Sequence, residues 1–483
     1  MVVNKITVTL ISILILAAVL RFYQLGVNPP SPYWEEAAIG FDAYSILKTG
    51  RDFHGNPWPL AAFESFGDWK PSLYFYTAVP AVALFGLNTF AVRFPSALFG
   101  TLTVLLIYLL FLKIGNWKLG ILAALLLAVS PWHLQLSRAG FEANLGLFLL
   151  VLGYFFSPAL ALSMYSYHAD RILAPLLFLV FTASSRIKQF WRQALICLIL
   201  VLPLMWQLRS PVLRQRFNET SAFSSLDPII KSNQLIAEDG NTRLAKIIHH
   251  RFWQYGQIFL RNYFDHFSFK YLFVSGDSNP RHSTQKAGGL YLIQVPFLLY
   301  GILLSLKRRH KQDWLFLAWL FLAPVPAALT TATPHALRSL GMLVPLTYFT
   351  SLGVIKTKRF LMILAAFVLM VEAGRYLNYY YRYYSRDYAQ DWQFGYQPMI
   401  ESVAANEVKY DHVYITRAMG RPSIYYWFYT KTDPRLVQSM NNLVPKDQGE
   451  YLEFGKIKFN NGPYLPHSLI VSSQDNKFII YEN

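Results

Sequence analysis

"KITVTLISILILAAVLRFY" (residues 5–23) decides how the rest of the chain is read, because it is either a leader that is removed or the first membrane span. Its centre, Ile6 to Leu20, is apolar and uncharged, which suits either. No small-x-small cleavage site follows. Instead Arg21, Phe22 and Tyr23 supply the cation and the aromatic rings that anchor a helix at headgroup depth. We read the run as a retained span.

The whole chain has the same character. Of its 483 residues, 54% are hydrophobic and 15% charged, with a mean hydropathy of +0.28. That is too apolar for several soluble domains and fits a polytopic α-helical membrane protein. The net charge of +17, from 44 Lys and Arg against 27 Asp and Glu, falls in basic clusters between apolar runs. Such clustering points to positive-inside loops and anionic lipid rather than to nucleic acid. Cys197, the single cysteine, lies within an apolar run; no intramolecular disulfide is available, and it reads as a small core residue.

Further apolar runs at 92–112, 119–136, 143–167, 172–185, 193–208, 287–306, 314–331, 339–355 and 360–374 are candidate spans, several of them short for a bilayer core of ~30 Å. Orientation follows from the short basic connections, namely Lys113 with Lys118, Arg186 with Lys188 and Arg192, "KRRHK" (307–311) and "KTKR" (356–359). All four lie on the cytoplasmic side if the first span runs from inside to outside. Residues 24–91, 209–286 and everything beyond 375 are then outside, with the turns 137–142, 167–171 and 332–338. This requires "PSLYFYTAVPAVALFGL" (71–87) to lie along the interface, which its Pro71, Pro80 and aromatic face suit. It also requires an even number of crossings between 142 and 168, where 143–167 is long enough for one helix. Either two half-spans turn at "FFSPAL" (155–160), or an ancestral hairpin has been shortened.

From 375 the chain turns polar and aromatic. "HVYIT" (412–416), "SLIVSS" (468–473) and "KFIIYE" (477–482) alternate like strands around a helical "RPSIYYWFYTK" (421–431). The expected organisation is a transmembrane domain, 1–374, with outer loops 24–91 and 209–286, followed by a small extracytoplasmic α/β domain, 375–483.

In this topology Glu35, Glu36, Asp42, Lys70, Arg138, Glu142, His168, Asp170, Arg171, His335 and Arg338 all fall at the outer face. Cations there can hold a phosphate while a carboxylate takes a proton from an attacking hydroxyl or amine. Each has a plainer reading beside it. Glu35 and Glu36 suit the first turn of a helix, Lys70 can snorkel at the interface, and Arg138 and Glu142, four residues apart, can pair on a helix surface. The histidines can be interfacial caps. No compact His, Cys or Asp spacing marks a metal site.

As an ordered set, "WEEA" (34–37), "GRDFHG" (50–55), "WKPSLYFY" (69–76), "LFGLNTFAVRFPSALFGTLTV" (84–104), "SPWHLQLSRAGFEAN" (130–144), "YHADR" (167–171) and "PHALRSLGMLVP" (334–345) resemble the GT-C membrane glycosyltransferases. Within these they look like the protein O-mannosyltransferase and aminoarabinose transferase branch. The resemblance implies a sugar delivered on a polyprenyl phosphate and an acceptor-side acid in the first outer loop. It puts Glu35 where the family usually has the Asp of an Asp-Glu pair, Glu36 on the pair's Glu, Lys70 on the basic residue of a Lys-Pro segment implicated in phosphate binding, and Glu142 on a second-loop acid that is commonly Asp. Both Glu35 and Glu142 are one methylene longer than that pattern, and 143–167 is compressed where relatives have room for two spans.

The expected function is therefore an inverting glycosyltransferase of the plasma (inner) membrane that moves a sugar from a polyprenyl-phosphate donor to a lipid, glycan or protein acceptor. Glu35, Glu36 and Glu142 are the candidate catalytic acids. Lys70, Arg138, Arg171 and Arg338 are candidate phosphate ligands, and His168, Asp170 and His335 candidate substrate contacts. No cofactor is specified, and a divalent cation is left open. A lipid transporter would instead carry charges within helices along a central path; a glycolipid-binding relative without catalysis is the other alternative.

Overall fold

The computed structural model describes residues 2–183, 186–207 and 221–483. The last residues of the expected 172–185 and 193–208 spans and the start of the 209–286 loop lie outside them. Among the described residues, four helices are long and apolar enough to cross a bilayer, Lys5–Phe22, Thr89–Ile114, Ile187–Gln207 and Arg359–Asp387, as an integral membrane protein requires. Cys197, expected in a core, is half-buried on the third of these.

Proline decides where other apolar runs stop. The expected span 119–136 divides into Trp117–Val129 and Pro131–Leu136, and 314–331 into Lys311–Leu322 and Val325–Ala328 behind Pro324. A proline inside a helix removes an N–H and disfavours helical backbone before it, so Ser130, at ψ 125°, ends its helix. In the 143–167 stretch, helix Glu142–Gly153 stops and Pro158–Ser163 restarts after a four-residue break, which is the half-span alternative. Gly153 makes the turn back feasible, since Leu160 occupies the place of a Cβ there. Within 71–87 the helix is Leu73–Phe85, 13 residues. At 1.5 Å per residue that is about 20 Å, too short to cross.

The chain forms two compact units. One comprises 1–13, 103–133 and 146–376; the other comprises 14–102, 134–145 and 377–483. The C-terminal region thus shares a unit with the 24–91 segment, a grouping that division in chain order does not anticipate. In the first unit, helices Gln294–Arg308 and Leu343–Ile355 pack through two glycines. A Cβ on Gly301 would run into the Phe349 carbonyl, and one on Gly353 into the Phe297 carbonyl. Small residues of this kind let backbones approach where no hydrophobic effect drives the helices together.

In the second unit, helix Trp34–Thr49 lies against helices Leu73–Phe85 and Pro422–Thr430. Gly40 permits this, because a Cβ there would strike Val92 and Phe428. Strands β1 (Ala62–Ser65) and β2 (Asp68–Pro71) form a hairpin. Its two connecting residues, Phe66 and Gly67, have φ of 54° and 76°, the sign a tight hairpin turn needs at both positions. The C-terminal region adds β3 (His412–Ile415), the short pair β4 (Lys446–Asp447) and β5 (Glu450–Tyr451), then β6 (Glu453–Phe454), β7 (Ile457–Lys458), β8 (Ser468–Gln474) and β9 (Lys477–Glu482). Five of these make one sheet in the order β6-β7-β3-β8-β9. β3 is central and parallel to β7 and β8, with Val413 opposite Leu469 and Ile415 opposite Val471. Helices Tyr396–Asn406 and Pro422–Thr430 complete the α/β region.

The Gly301 contact yields a stability test. Gly301→Val must displace the Phe349 carbonyl and should cost about 1–3 kcal/mol or more. Gly374→Ala, with nothing within 4 Å of a Cβ, should be neutral or slightly stabilising. Thermal melts of both variants in detergent check this; equal melting temperatures would refute it.

Candidate active site

The segment after the first long helix, residues 23–33, is irregular backbone, so its carbonyls need donors. Two buried arginines provide them. Arg138 is fully buried and gives Nη1 to the Leu20 and Arg21 carbonyls at 2.8 and 2.9 Å and Nη2 to those of Tyr23 and Asn28 at 2.7 and 2.8 Å. Its guanidinium also lies over the Tyr380 and Tyr381 rings. Arg93, equally buried, donates to the carbonyls of Leu25 (3.2 Å), Pro29 (2.7 Å) and Ser31 (2.7 Å). Its remaining N–H groups meet Glu36 in a two-pronged pair, Nε to Oε1 at 2.8 Å and Nη2 to Oε2 at 2.9 Å.

Glu36 is fully buried. Besides Arg93, Oε1 accepts the Gly140 N–H at 2.7 Å and Oε2 that of Tyr33 at 3.3 Å. Its two oxygens thus accept from three separate segments, around Tyr33, Arg93 and Gly140. Glu36 and Arg138, expected among the groups that meet substrate, here bind Arg93 and neighbouring backbone. Arg93 was missed as a functional residue, although an arginine within the apolar 84–104 run is itself a signal.

Glu35, next to Glu36 on the helix, faces another way. Its carboxylate accepts a hydrogen bond from Lys70 Nζ at 2.7 Å, and Asp68 Oδ2 lies 3.1 Å from the same ammonium. The Lys70 side chain is 7% exposed, while those of Glu35 and Asp68 are each 28% exposed. Two features position this group. The Trp34 N–H donates to Gln393 Oε1 at 3.1 Å, fixing the start of the helix, and the hairpin register sets Lys70 opposite Phe63. The result is a buried ammonium held by two partly exposed carboxylates.

Glu142 is 8% exposed and opens helix Glu142–Gly153 two residues beyond Gly140. In the other unit, Asp170 is buried against Gly146, where no Cβ would fit. Arg171 donates Nε to the Met164 carbonyl at 3.3 Å, and Arg338 donates Nη1 to Thr330 Oγ1 at 2.8 Å. His168 is half-buried in the turn before Asp170.

A second polar group lies behind the hairpin. Asp42 Oδ1 accepts the Phe53 N–H at 3.0 Å, and burial together with Asp52 pushes the Asp42 carboxyl well above the usual carboxylate range. Burial also raises Asp52 and Glu64. It pushes the His54 imidazole down to about 3, with Lys446 adding to the shift, so His54 is neutral at physiological pH.

The first-named unit holds a further cluster. Asp277, His282 and His335 bring one ligand atom each within 4.8 Å of one another, the one such His, Cys, Asp or Glu group among the described residues. His335 was expected at a substrate; Asp277 and His282 were not singled out, and their only signal is a D-x₄-H spacing. His282 Nδ1 is 2.9 Å from Asp277 Oδ2. Burial alone would raise the Asp277 carboxyl, but the His282 hydrogen bond and the nearby imidazoles outweigh it and hold it at about 2. Burial, His282 and Arg338 keep His335 well below the usual histidine range, and hence neutral.

Fold and site together define a polytopic membrane protein with an acid–lysine pair between its first two long apolar helices and an α/β C-terminal region. The dolichyl-phosphate-mannose-protein mannosyltransferase family matches residues 69–169. No curated protein matches by sequence. Among solved structures, apo ArnT from Cupriavidus metallidurans aligns with a TM-score of 0.50 at 12% identity, over 91% of this chain and 78% of that one. The oligosaccharyltransferase of Archaeoglobus fulgidus in its apo form gives 0.50 at 14% identity, over 89% and 64%. The same enzyme, AglB, complexed with an inhibitory peptide and a dolichol-phosphate gives 0.50 at 13%, over 96% and 62%. The chain therefore spans less than two thirds of the archaeal protein. Its fold is that of the GT-C membrane glycosyltransferases.

Glu36→Gln leaves Arg93 buried without its counter-charge, and breaking such a pair costs about 3–5 kcal/mol. We expect the yield of folded protein and the melting temperature to fall sharply. Glu35→Gln, at a partly exposed pair, should leave both nearly unchanged. Equal melting temperatures for the two variants would remove the scaffold role of Glu36.

Proposed function

We propose that the chain is an inverting glycosyltransferase that moves a sugar from a polyprenyl-phosphate donor to a lipid, glycan or protein acceptor at the outer face of the plasma (inner) membrane, with its C-terminal region extracytoplasmic. The observation that carries this reading is the Glu35–Lys70 pair at 2.7 Å, set in a GT-C fold. A dolichol-phosphate in the AglB structure is a lipid phosphate of the proposed donor's class.

In the proposed reaction Glu35 takes the proton of the attacking hydroxyl or amine as that atom bonds to the anomeric carbon. The bond from that carbon to the phosphate oxygen breaks on the opposite face, and the electron pair leaves with the phosphate. Attack opposite the leaving group inverts the configuration. Lys70 offsets the charge that develops on the phosphate. Arrival of the donor lets phosphate oxygens replace carboxylate at the ammonium, which releases Glu35 toward the acceptor. We assign Glu142 as the reserve acid, Arg171 and Arg338 as further phosphate ligands, and His168 and Asp170 as substrate contacts. Glu36 and Arg138 are positioning residues. The divalent cation left open by the sequence has a candidate ligand set in Asp277, His282 and His335.

Glu35→Gln should lower turnover by ~10²–10⁴-fold and largely keep donor affinity, whereas Lys70→Ala should weaken donor binding through loss of a charge-assisted contact. Glu35→Asp should preserve activity. Turnover and donor affinity in one membrane preparation distinguish these outcomes; full activity in Glu35→Gln would transfer the base role to Glu142.

The orientation has its own test. In a Cys197→Ser background, an impermeant thiol reagent added outside should label Leu443→Cys, at a position 80% exposed, and should reach Arg309→Cys only after permeabilisation. The reverse pattern would invert the topology.

A further inference from the structure

We propose that Asp277, His282 and His335 bind a zinc ion that staples the 275–285 turn to the 334–338 segment. Two imidazole nitrogens and one carboxylate oxygen are a donor set suited to Zn²⁺, whereas Mg²⁺ and Ca²⁺ favour all-oxygen shells. Ligand atoms at zinc distances of ~2.0–2.1 Å stand ~3.4 Å apart around a tetrahedral ion. The three side chains already lie within 4.8 Å of one another, and the His282 and His335 rings are 5.0 Å between centroids, so the approach needed is that of side chains and not of backbone.

The surroundings hold the ligands in place, as those of a metal site must. Asp277 Oδ1 accepts the Asn279 N–H at 2.8 Å and Oδ2 the Ala336 N–H at 2.7 Å. The His335 N–H donates to His266 Nε2 at 3.1 Å, and His266 Nδ1 is 2.8 Å from the Asn262 carbonyl oxygen. With Nε2 accepting, His266 carries its proton on Nδ1. The His335 carbonyl accepts from Ser339 Oγ at 2.8 Å, itself 2.8 Å from the Tyr271 hydroxyl. Asp277 and His282 also border a small pocket with Trp132, Tyr271, Ser283 and Thr284, which leaves a fourth coordination position for water. Zinc would take the place of the proton between Asp277 and His282 and add His335 as a third ligand, joining segments more than fifty residues apart in sequence. Binding of this kind requires nothing of the glycosyl-transfer reading, and its readouts are metal content and stability.

The full chain, purified in detergent, is loaded with zinc sulfate, dialysed against metal-free buffer and assayed by elemental analysis. We expect about one zinc per chain in the wild type and less than about a tenth in His282→Ala and His335→Ala, with neither Mg²⁺ nor Ca²⁺ retained. A zinc chelator should lower the wild-type melting temperature and leave that of His335→Ala unmoved. Co²⁺ added to the metal-free wild type should show the visible absorption of a tetrahedral site, a readout that needs no variant to fold. Absence of both retained zinc and a Co²⁺ spectrum in the wild type would overturn the proposal, as would full zinc retention in both variants.

Discussion

Seven backbone carbonyls between Leu20 and Ser31 are met by two guanidinium groups, and the segment that leads into helix Trp34–Thr49 depends on that arrangement. A chain leaving a membrane helix has no ladder partner, and an unmet carbonyl in a buried position costs as much as a lost hydrogen bond. Arginine suits the task because its planar fork can serve several acceptors at once and stays charged. The charge must then be balanced. Arg93 has Glu36 for this, while Arg138 rests on carbonyl dipoles and the faces of Tyr380 and Tyr381. By fixing the 20–31 segment, the two arginines fix where helix Trp34–Thr49 starts, and with it the direction in which Glu35 points.

Helical geometry explains how adjacent acids acquire different work. Neighbouring residues on a helix are turned by about 100°, so Glu36 can point inward to Arg93 while Glu35 reaches the more open side and Lys70. The inward acid is locked by four hydrogen bonds. The outward one meets Lys70, an ammonium it shares with Asp68. A proton acceptor must be able to exchange partners, and a carboxylate held on all sides cannot. The acid proposed as the base is therefore the one whose ion pair is exposed enough for substrate to compete.

How much of this the sequence carried depends on how local each signal was. The long helices at 89–114 and 359–379 and the strands at 412, 468 and 477 were legible from hydropathy and alternation. The resemblance over 34–345 indicated the GT-C fold. Breaks at Pro131 and Pro324 were harder to see, because an apolar run does not show where a helix within it ends. Roles were hardest of all. Nothing local separates an arginine that will receive a phosphate from one that will bind its own backbone, as Arg138 does, and the grouping of the first loop with 377–483 arises from packing between distant segments. Asp277 and His282 looked unremarkable because the third member of their cluster is 53 residues beyond His282 in sequence.

The lengthened acid at position 35 is where these constraints meet. Relative to the aspartate of the resembling family, a glutamate gains one methylene of reach and one more torsion to restrain, at an entropic cost of a fraction of a kcal/mol. Here the restraint comes from Lys70, itself 7% exposed on a hairpin strand, so the ammonium that would hold the leaving phosphate also holds the base ready. A shorter acid at this site would have to draw Lys70 closer or give up the contact. In the proposed reaction one buried ammonium would serve the resting state and the reacting state in turn, and the exchange between them would be confined to side chains, leaving the scaffold held by Arg93 and Arg138 undisturbed.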